Sequence, residues 1–452
     1  MSTYTVSNIS SPDEQAVWSK GGLFLFRFFF IYFLIQVIPL DWKFYRDAFT
    51  DIRPGDFLYW LQLTRYYPRF IADDPSNAWG LISYANWLVA ALMALVGALV
   101  WSRVDKTRRQ GYHYLYYVLR VVLRYRLAIA MIAYGLFKLV ALQIPKPTLS
   151  DFNTAYGDFL LWKAYYHTMG QGGAFYEQSL GFFELLGGVL LLWRRTTTIA
   201  CILLSLMLTN IVLANFAYLL GDHIFSTYLL VIALFLLAHD VPRLYNLVSL
   251  NRFTRAAKPL PVQSARCRRT EQWSRAVLLV FGFGFFALTL YASGKDHWPY
   301  KQTAGLRDAA GYYNVEAFVW NGNNIPSGLS DPSRWQNVVF EPWNTISIRT
   351  AGTVAAEPHQ FYPLPNYANY EASGNRGRQF FNYTVDESRQ QLRLNNLNGP
   401  VQTYHLTVKR PDAQTIILRG TDANNDSLYA LLKRQDKKYL LLEGRRNVDR
   451  KF

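Results

Sequence analysis

Seven apolar runs, separated by short polar or basic links, fill roughly the first two-thirds of this 452-residue chain, and short alternating segments fill the rest. The runs are Gly21–Leu40, Trp79–Trp101, Leu127–Ile144, Phe175–Trp193, Thr198–Leu220, Phe225–Ala238 and Trp273–Ser293. Most reach the roughly 18 residues that an α-helix needs to cross a hydrocarbon core, so the pattern predicts about seven transmembrane helices. Gly21–Leu40 has no small-residue cleavage site and reads as an uncleaved span, with Arg27 near its start snorkelling to the surface. Residues 41–79 mix Trp42, Tyr45, Trp60, Tyr66 and Tyr67 with charges, which suits a membrane–water interface. A short amphipathic helix is expected there, around Phe57–Tyr67. Tyr112–Arg126, interrupted by Arg120, Arg124 and Arg126, reads as an interfacial basic helix or an extension of the next span. The link 146–175 is too rich in aromatic residues for a free loop, and a helix lying on or dipping into the bilayer is expected.

After residue 295 the period changes to two. Val315–Trp320, Trp335–Phe340, Thr345–Thr350, Phe380–Val385, Gln391–Leu397, Thr403–Lys409, Thr415–Arg419, Leu428–Lys433 and Tyr439–Leu442 read as strands, with Asn321-Gly322, Asn398-Gly399 and Pro411-Asp412 as turns. Short strands with no long helix among them predict an all-β barrel or sandwich. The fold class is therefore an α-helical membrane bundle plus a soluble β domain. Its divisions are N-terminal membrane helices at 1–125, a four-helix core at 126–247, a basic link and last span at 248–294, and the β domain at 295–452.

Charge sharpens this picture. The formal net charge is +16, but the dense Lys/Arg clusters abut apolar runs, which points to cytoplasmic helix ends rather than nucleic acid. With the N-terminus inside, links 102–112, 194–197 and 241–274 hold nearly all of those clusters. The outside links 144–175 and 221–224 hold only Lys146 and Lys163. The positive-inside rule then puts the chain in an inner membrane with its β domain outside the cytoplasm, although link 41–79, with five basic residues, does not fit the rule. The two cysteines, Cys201 and Cys267, form no CxxC, haem or zinc spacing, which excludes a disulfide framework and thiol exchange within the chain.

Candidate chemistry centres on Lys138 and Glu184, opposite charges set within two apolar runs. A charge in such a run is costly unless it faces the bundle interior and finds a partner, so the two are expected to pair. Gly181, Glu184 and Gly188 share one helical face, the mark of a close helix–helix contact. Tyr134 stands one turn before Lys138, and Asn210 on the fifth run is placed to complete the polar cluster. Trp162, His167, Asp222 and His223, from outside links, are candidates for its mouth. Such a site would bind a quinone head group or relay protons, and pairing for helix register alone accounts for the same two charges.

These motifs resemble the DoxX-like membrane proteins over residues 126–247. The likeness rests on Arg126, Tyr134-Gly-Leu-Phe-Lys138, Phe183-Glu-Leu-Leu-Gly-Gly188 with the following Val-Leu-Leu-Leu-Trp-Arg-Arg, and Thr209-Asn210. The whole layout resembles an enlarged Bacteroidota member of that family with added helices and a β domain. Family members include subunits of thiosulfate:quinone oxidoreductase. The resemblance thus implies a quinone or lipid in the bundle and a protein partner in the cell envelope, without implying a reaction. The Tyr134 to Lys138 arrangement is also similar to the vitamin K-dependent carboxylase. That likeness implies the alternative of a membrane enzyme with a hydroquinone-type cofactor.

Overall fold

The computed structural model describes residues 18–40, 42–50, 57–71, 79–105, 111–144, 146–171, 173–252, 254, 265–295, 303–328, 331–352, 354, 371–386, 390–398 and 401–443. Lys106, Arg108, Arg109, Pro145, Gly172, Arg255, Lys258 and Gly399 lie outside the described residues, as do the side chains of Arg266, Cys267 and Arg268. Up to residue 295 the described chain is helical. The helices are α1 Lys20–Val37, α2 Trp42–Thr50, α3 Phe57–Thr64, α4 Ala85–Val104, α5 His113–Leu139, α6 Leu149–Phe152, α7 Leu161–Gln171, α8 Ala174–Leu190, α9 Thr197–Tyr218, α10 His223–Ala238, α11 Val241–Val248 and α12 Ala265–Lys295.

Among the described residues, four stretches are long and apolar enough to cross a membrane: Lys20–Val37, Gly80–Val104, Thr197–Tyr218 and Arg269–Tyr291. Helices α10 and α11, bent by 64° at their junction, make a fifth if taken as one span. The expected third and fourth spans fall short of this measure because of charge and length. Helix α5 carries Arg120, Arg124, Arg126 and Lys138, and α8 has 17 residues that include Glu177 and Glu184. Both are nevertheless central to the bundle. From Leu127 to Lys138 nearly every α5 side chain is buried, as expected of a helix surrounded by other helices.

Of the two alternatives for Tyr112–Arg126 the extension of the next span holds, because α5 runs unbroken from His113 through Lys138. One local expectation changes. Arg27 does not snorkel. Its guanidinium is buried and donates to Tyr112 Oη at 2.7 Å and Ser102 Oγ at 2.7 Å, with Asp105 at 3.4 Å. A carboxylate and two hydroxyls within reach replace the water it would otherwise seek.

The C-terminal region is a closed antiparallel barrel of eight strands. They are β1 Gly311–Trp320, β3 Asn337–Phe340, β4 Thr345–Arg349, β5 Gln379–Asp386, β6 Gln391–Asn396, β7 Thr403–Lys409, β8 Thr415–Asp422 and β9 Ser427–Gln435. A two-residue strand, β2 Asn323–Asn324, hangs on β1. Strands β1 and β9 pair along their whole length and close the barrel, which removes both open edges. Alternation sets the register: Leu392 faces Leu406, and Leu394 faces Tyr404, in a core of Tyr313, Phe318, Trp335 and Phe381. Tyr439–Leu442 is not a strand. Its apolar run lacks alternation, and it forms a helical turn, α13 Leu440–Glu443, while the Tyr439 ring lies 5.3 Å from Phe152.

The segment 146–171 forms the helices α6 and α7 and joins the bundle to the barrel. Helix α6 begins with a capping box: Thr148 Oγ1 accepts from Asp151 N, and the Asp151 carboxylate accepts from Thr148 N. Leu149 N and Ser150 N donate to the carboxylate of Glu341, at the end of β3. Further backbone bonds, Leu160 N to Gly374 O at 2.9 Å and Arg376 N to Asp158 O at 2.8 Å, tie the segment to the chain before β5. Gly374 adopts φ +67°, and a side chain there would strike the Trp162 ring.

Candidate functional site

The bundle is built on the crossing of α5 and α8. A Cβ on Gly135 would stand 2.5 Å from Leu185 N, and one on Gly181 would stand 2.6 Å from Leu139 N. Backbones this close allow only glycine between them. The same approach carries Lys138 onto Glu184, which lies one turn after Gly181 on α8. Lys138 Nζ donates to Glu184 Oε1. Glu184 is 1% exposed, and its second carboxylate oxygen, Oε2, has no hydrogen-bond partner among the described residues. Two turns before Glu184, Glu177 is also buried and accepts from Gln143 N at 2.6 Å and Ile144 N at 3.1 Å, closing the end of α5. Tyr134 is buried one turn from Lys138, with its ring 5.9 Å from Phe225. The expected pair is therefore present, in the interior, with Tyr134 beside it.

Asn210 does not join it. The buried row of α9 runs through Cys201, Leu204, Ser205, Leu208 and Asn215, and Asn210 falls off that row onto the exposed side. Asn215 is the inward amide, donating to Ser226 Oγ and accepting from Asp222 N. The four residues proposed for the mouth fall into two other places. Asp222 pairs with Arg65. His223 is buried, stacked on Trp79 at 4.3 Å, with Nε2 3.0 Å from Ser83 Oγ. Trp162 and His167 sit on α7.

Helix α7 has two working faces. Trp162 and Tyr166 pack with Leu220 and Ile144 over the end of α5 and α9, and Tyr165 meets Tyr218 at 4.6 Å. Lys163 and His167, one turn apart, point the other way, into a polar joint with the barrel. Lys163 is fully buried. It donates to Glu371 O at 2.6 Å and lies 3.6 Å from Asp151 Oδ1, while His167 Nε2 lies 3.3 Å from Asp151 Oδ2. Arg378, also fully buried, donates to Ser347 Oγ, Ser347 O, Asn337 Oδ1 and Asn153 O. Glu341 accepts from Ser150, and Glu371 accepts from Trp343 Nε1.

Burial governs how this joint ionises. It would raise Asp151, but the charges of Lys163 and His167 and hydrogen bonds outweigh it and hold the carboxyl well below its usual range. Burial lowers Lys163, against the pull of Asp151 and Glu371. It pushes Glu341 up to about 6, and with the neighbouring charge of Glu341 it pushes Glu371 up to about 8. Sequence reasoning missed Asp151, Lys163, Glu341, Glu371 and Arg378. The only local signal was the Thr148-to-Asp151 capping pattern and the two-faced spacing of α7.

No protein-family model, curated protein or solved structure matches this chain.

Proposed function

We propose that the chain is a DoxX-like inner-membrane protein, a non-catalytic or redox-associated subunit that holds a quinone or lipid head group at Lys138 and Glu184. In this reading the chain crosses the membrane seven times from a cytoplasmic N-terminus. The crossings include α5 and α8, which the Lys138–Glu184 pair joins in the interior. The barrel stands outside the cytoplasm and meets an envelope partner. The observation that carries the reading is the unpartnered Oε2 of Glu184 beside Lys138 and Tyr134, deep in an apolar bundle. A buried acceptor without a donor is unfavourable, and a quinol hydroxyl would satisfy it. Lys138 has further N–H groups for a ring carbonyl, and Tyr134 offers an aromatic flank.

The test is extraction of small molecules from the protein purified out of its native membrane. The expected result is a quinone or lipid near one per chain, lost in Glu184→Gln. A wild-type preparation with a stoichiometric protein partner and no such ligand would leave only the scaffold role.

A further inference from the structure

Each buried cation of the helical region has a carboxylate, with one exception among the described residues. Arg27 has Asp105, Arg124 has Glu271, Lys138 has Glu184 and Lys163 has Asp151. Arg126 has none. It stands halfway along the 27-residue α5, roughly 20 Å from either end at 1.5 Å per residue. It is 7% exposed. Its Nη2 donates to Tyr66 O at 2.8 Å, and its guanidinium lies over the rings of Phe225 at 5.8 Å and Tyr228 at 5.4 Å.

Those partners supply a carbonyl dipole, two ring faces and the Tyr228 hydroxyl, and none supplies a negative charge. Arginine does not escape by losing its proton, as a lysine can. A guanidinium held this deep without a counter-charge is strongly unfavourable, and the chain could have avoided it with any apolar residue. The neighbouring Arg65 lies over the same Phe225 ring at 5.8 Å and is matched to Asp222, so that carboxylate is already engaged. The rings of Phe225 and Tyr228 wall the guanidinium on the α10 side, with the Tyr228 hydroxyl at its edge.

We propose that Arg126 is an anion-binding site inside the bundle, taking a phosphate or carboxylate oxyanion against its guanidinium with the Phe225 and Tyr228 rings as walls. The guanidinium fork suits two oxygens of one oxyanion, and in a dry setting such charge-assisted bonds are strong. The site is separate from Lys138 and Glu184 and does not rest on the reading given for them. A lipid phosphate reaching in from the bilayer and a small free anion present the same oxygens.

The experiment uses the full chain in nanodiscs. Wild type and Arg126→Gln are compared in phosphatidylglycerol and in phosphatidylcholine, and in the second lipid with inorganic phosphate against sodium chloride of equal ionic strength. Retained lipid is counted by native mass spectrometry and stability by intrinsic fluorescence on heating. For a lipid phosphate, wild type keeps one phosphatidylglycerol, and Arg126→Gln binds it about ten- to a hundredfold more weakly. For a free anion, inorganic phosphate raises the wild-type melting temperature in phosphatidylcholine and leaves Arg126→Gln unmoved. Asn210→Ala, altered on the exposed side of α9, behaves as wild type. Wild type indifferent to both anions overturns the proposal, and so does an equal response in Arg126→Gln. Should Arg126→Gln not fold, Arg126→Lys takes its place, with retention expected between wild type and none. Retention equal to wild type in that variant removes the need for the guanidinium and overturns the site as drawn.

Discussion

Lys138 and Glu184 are tied by more than attraction, because each makes the other tolerable in an apolar bundle. Removing one partner leaves the other buried and alone. Lys138→Met is therefore expected to cost about 3–5 kcal/mol, seen as a large fall in melting temperature in detergent. Adding Glu184→Gln to Lys138→Met takes away the stranded charge and is expected to recover most of that loss, since an ion pair replaced by neutral groups of similar volume is often close to neutral. Stability and ligand can then be read separately. A double variant that is stable but purifies without quinone or lipid makes the pair a binding site. One that keeps both makes it a device for helix register. Glu177 behaves differently from Glu184 in this respect, because two backbone N–H groups already satisfy its carboxylate.

The α5–α8 crossing shows what a single element demands of its residues. Gly135→Ala or Gly181→Ala puts a methyl against backbone atoms that cannot rotate away, so the helices must separate. The expected cost is about 1–3 kcal/mol or more, with the Lys138–Glu184 contact lengthened. Gly284→Ala on α12, where an added Cβ meets nothing within 4 Å, is the control and should instead gain up to about 1 kcal/mol from helix propensity. Melting temperatures of the three variants should therefore move in opposite directions, and a similar fall in all three would refute the close-crossing account. This crossing was legible in the sequence because Gly181, Glu184 and Gly188 repeat with the helical period. The eight barrel strands were legible for the same reason at period two. Asn210 was misplaced because periodicity gives a residue's face only relative to its own helix, and which face of α9 turns inward depends on where α10 packs. Glu341 and Glu371 left no local trace, since their partners lie about 190 and 210 positions earlier in the chain.

At the scale of the whole molecule, α7 and the joint beneath it decide whether bundle and barrel act as one body. The joint buries Asp151, Glu341 and Glu371 with Lys163 and Arg378, and its acids respond to pH in opposite senses. Asp151 is held below its ordinary 3.8, so its contribution is present above that pH and is lost as the solution is made more acidic. Glu341 and Glu371 are raised from 4.5 to about 6 and about 8. In the docked state each keeps a proton that the separated chain has already released, so stability falls as pH rises from 4.5 through those values. Each such proton is worth about 1.4 kcal/mol per pH unit. Between pH 6 and 8 Glu371 alone of the two sustains the slope. Glu371→Gln mimics the protonated carboxyl and keeps an oxygen to accept from Trp343 Nε1. Wild type should therefore lose melting temperature from pH 6 to 8, with amide exchange in α7 rising in step as the barrel lets go, while Glu371→Gln stays level over that range. Lys163 acts in the other direction, because burial lowers it and the docked state sheds its proton before the separated chain does. Above about pH 8 Glu371 is ionised in both states, and its share of the slope ends. A wild-type profile that is already flat from pH 6 to 8, or one that Glu371→Gln leaves sloping, would mean that the joint is held by Arg378 and its four oxygen acceptors rather than by a shared proton.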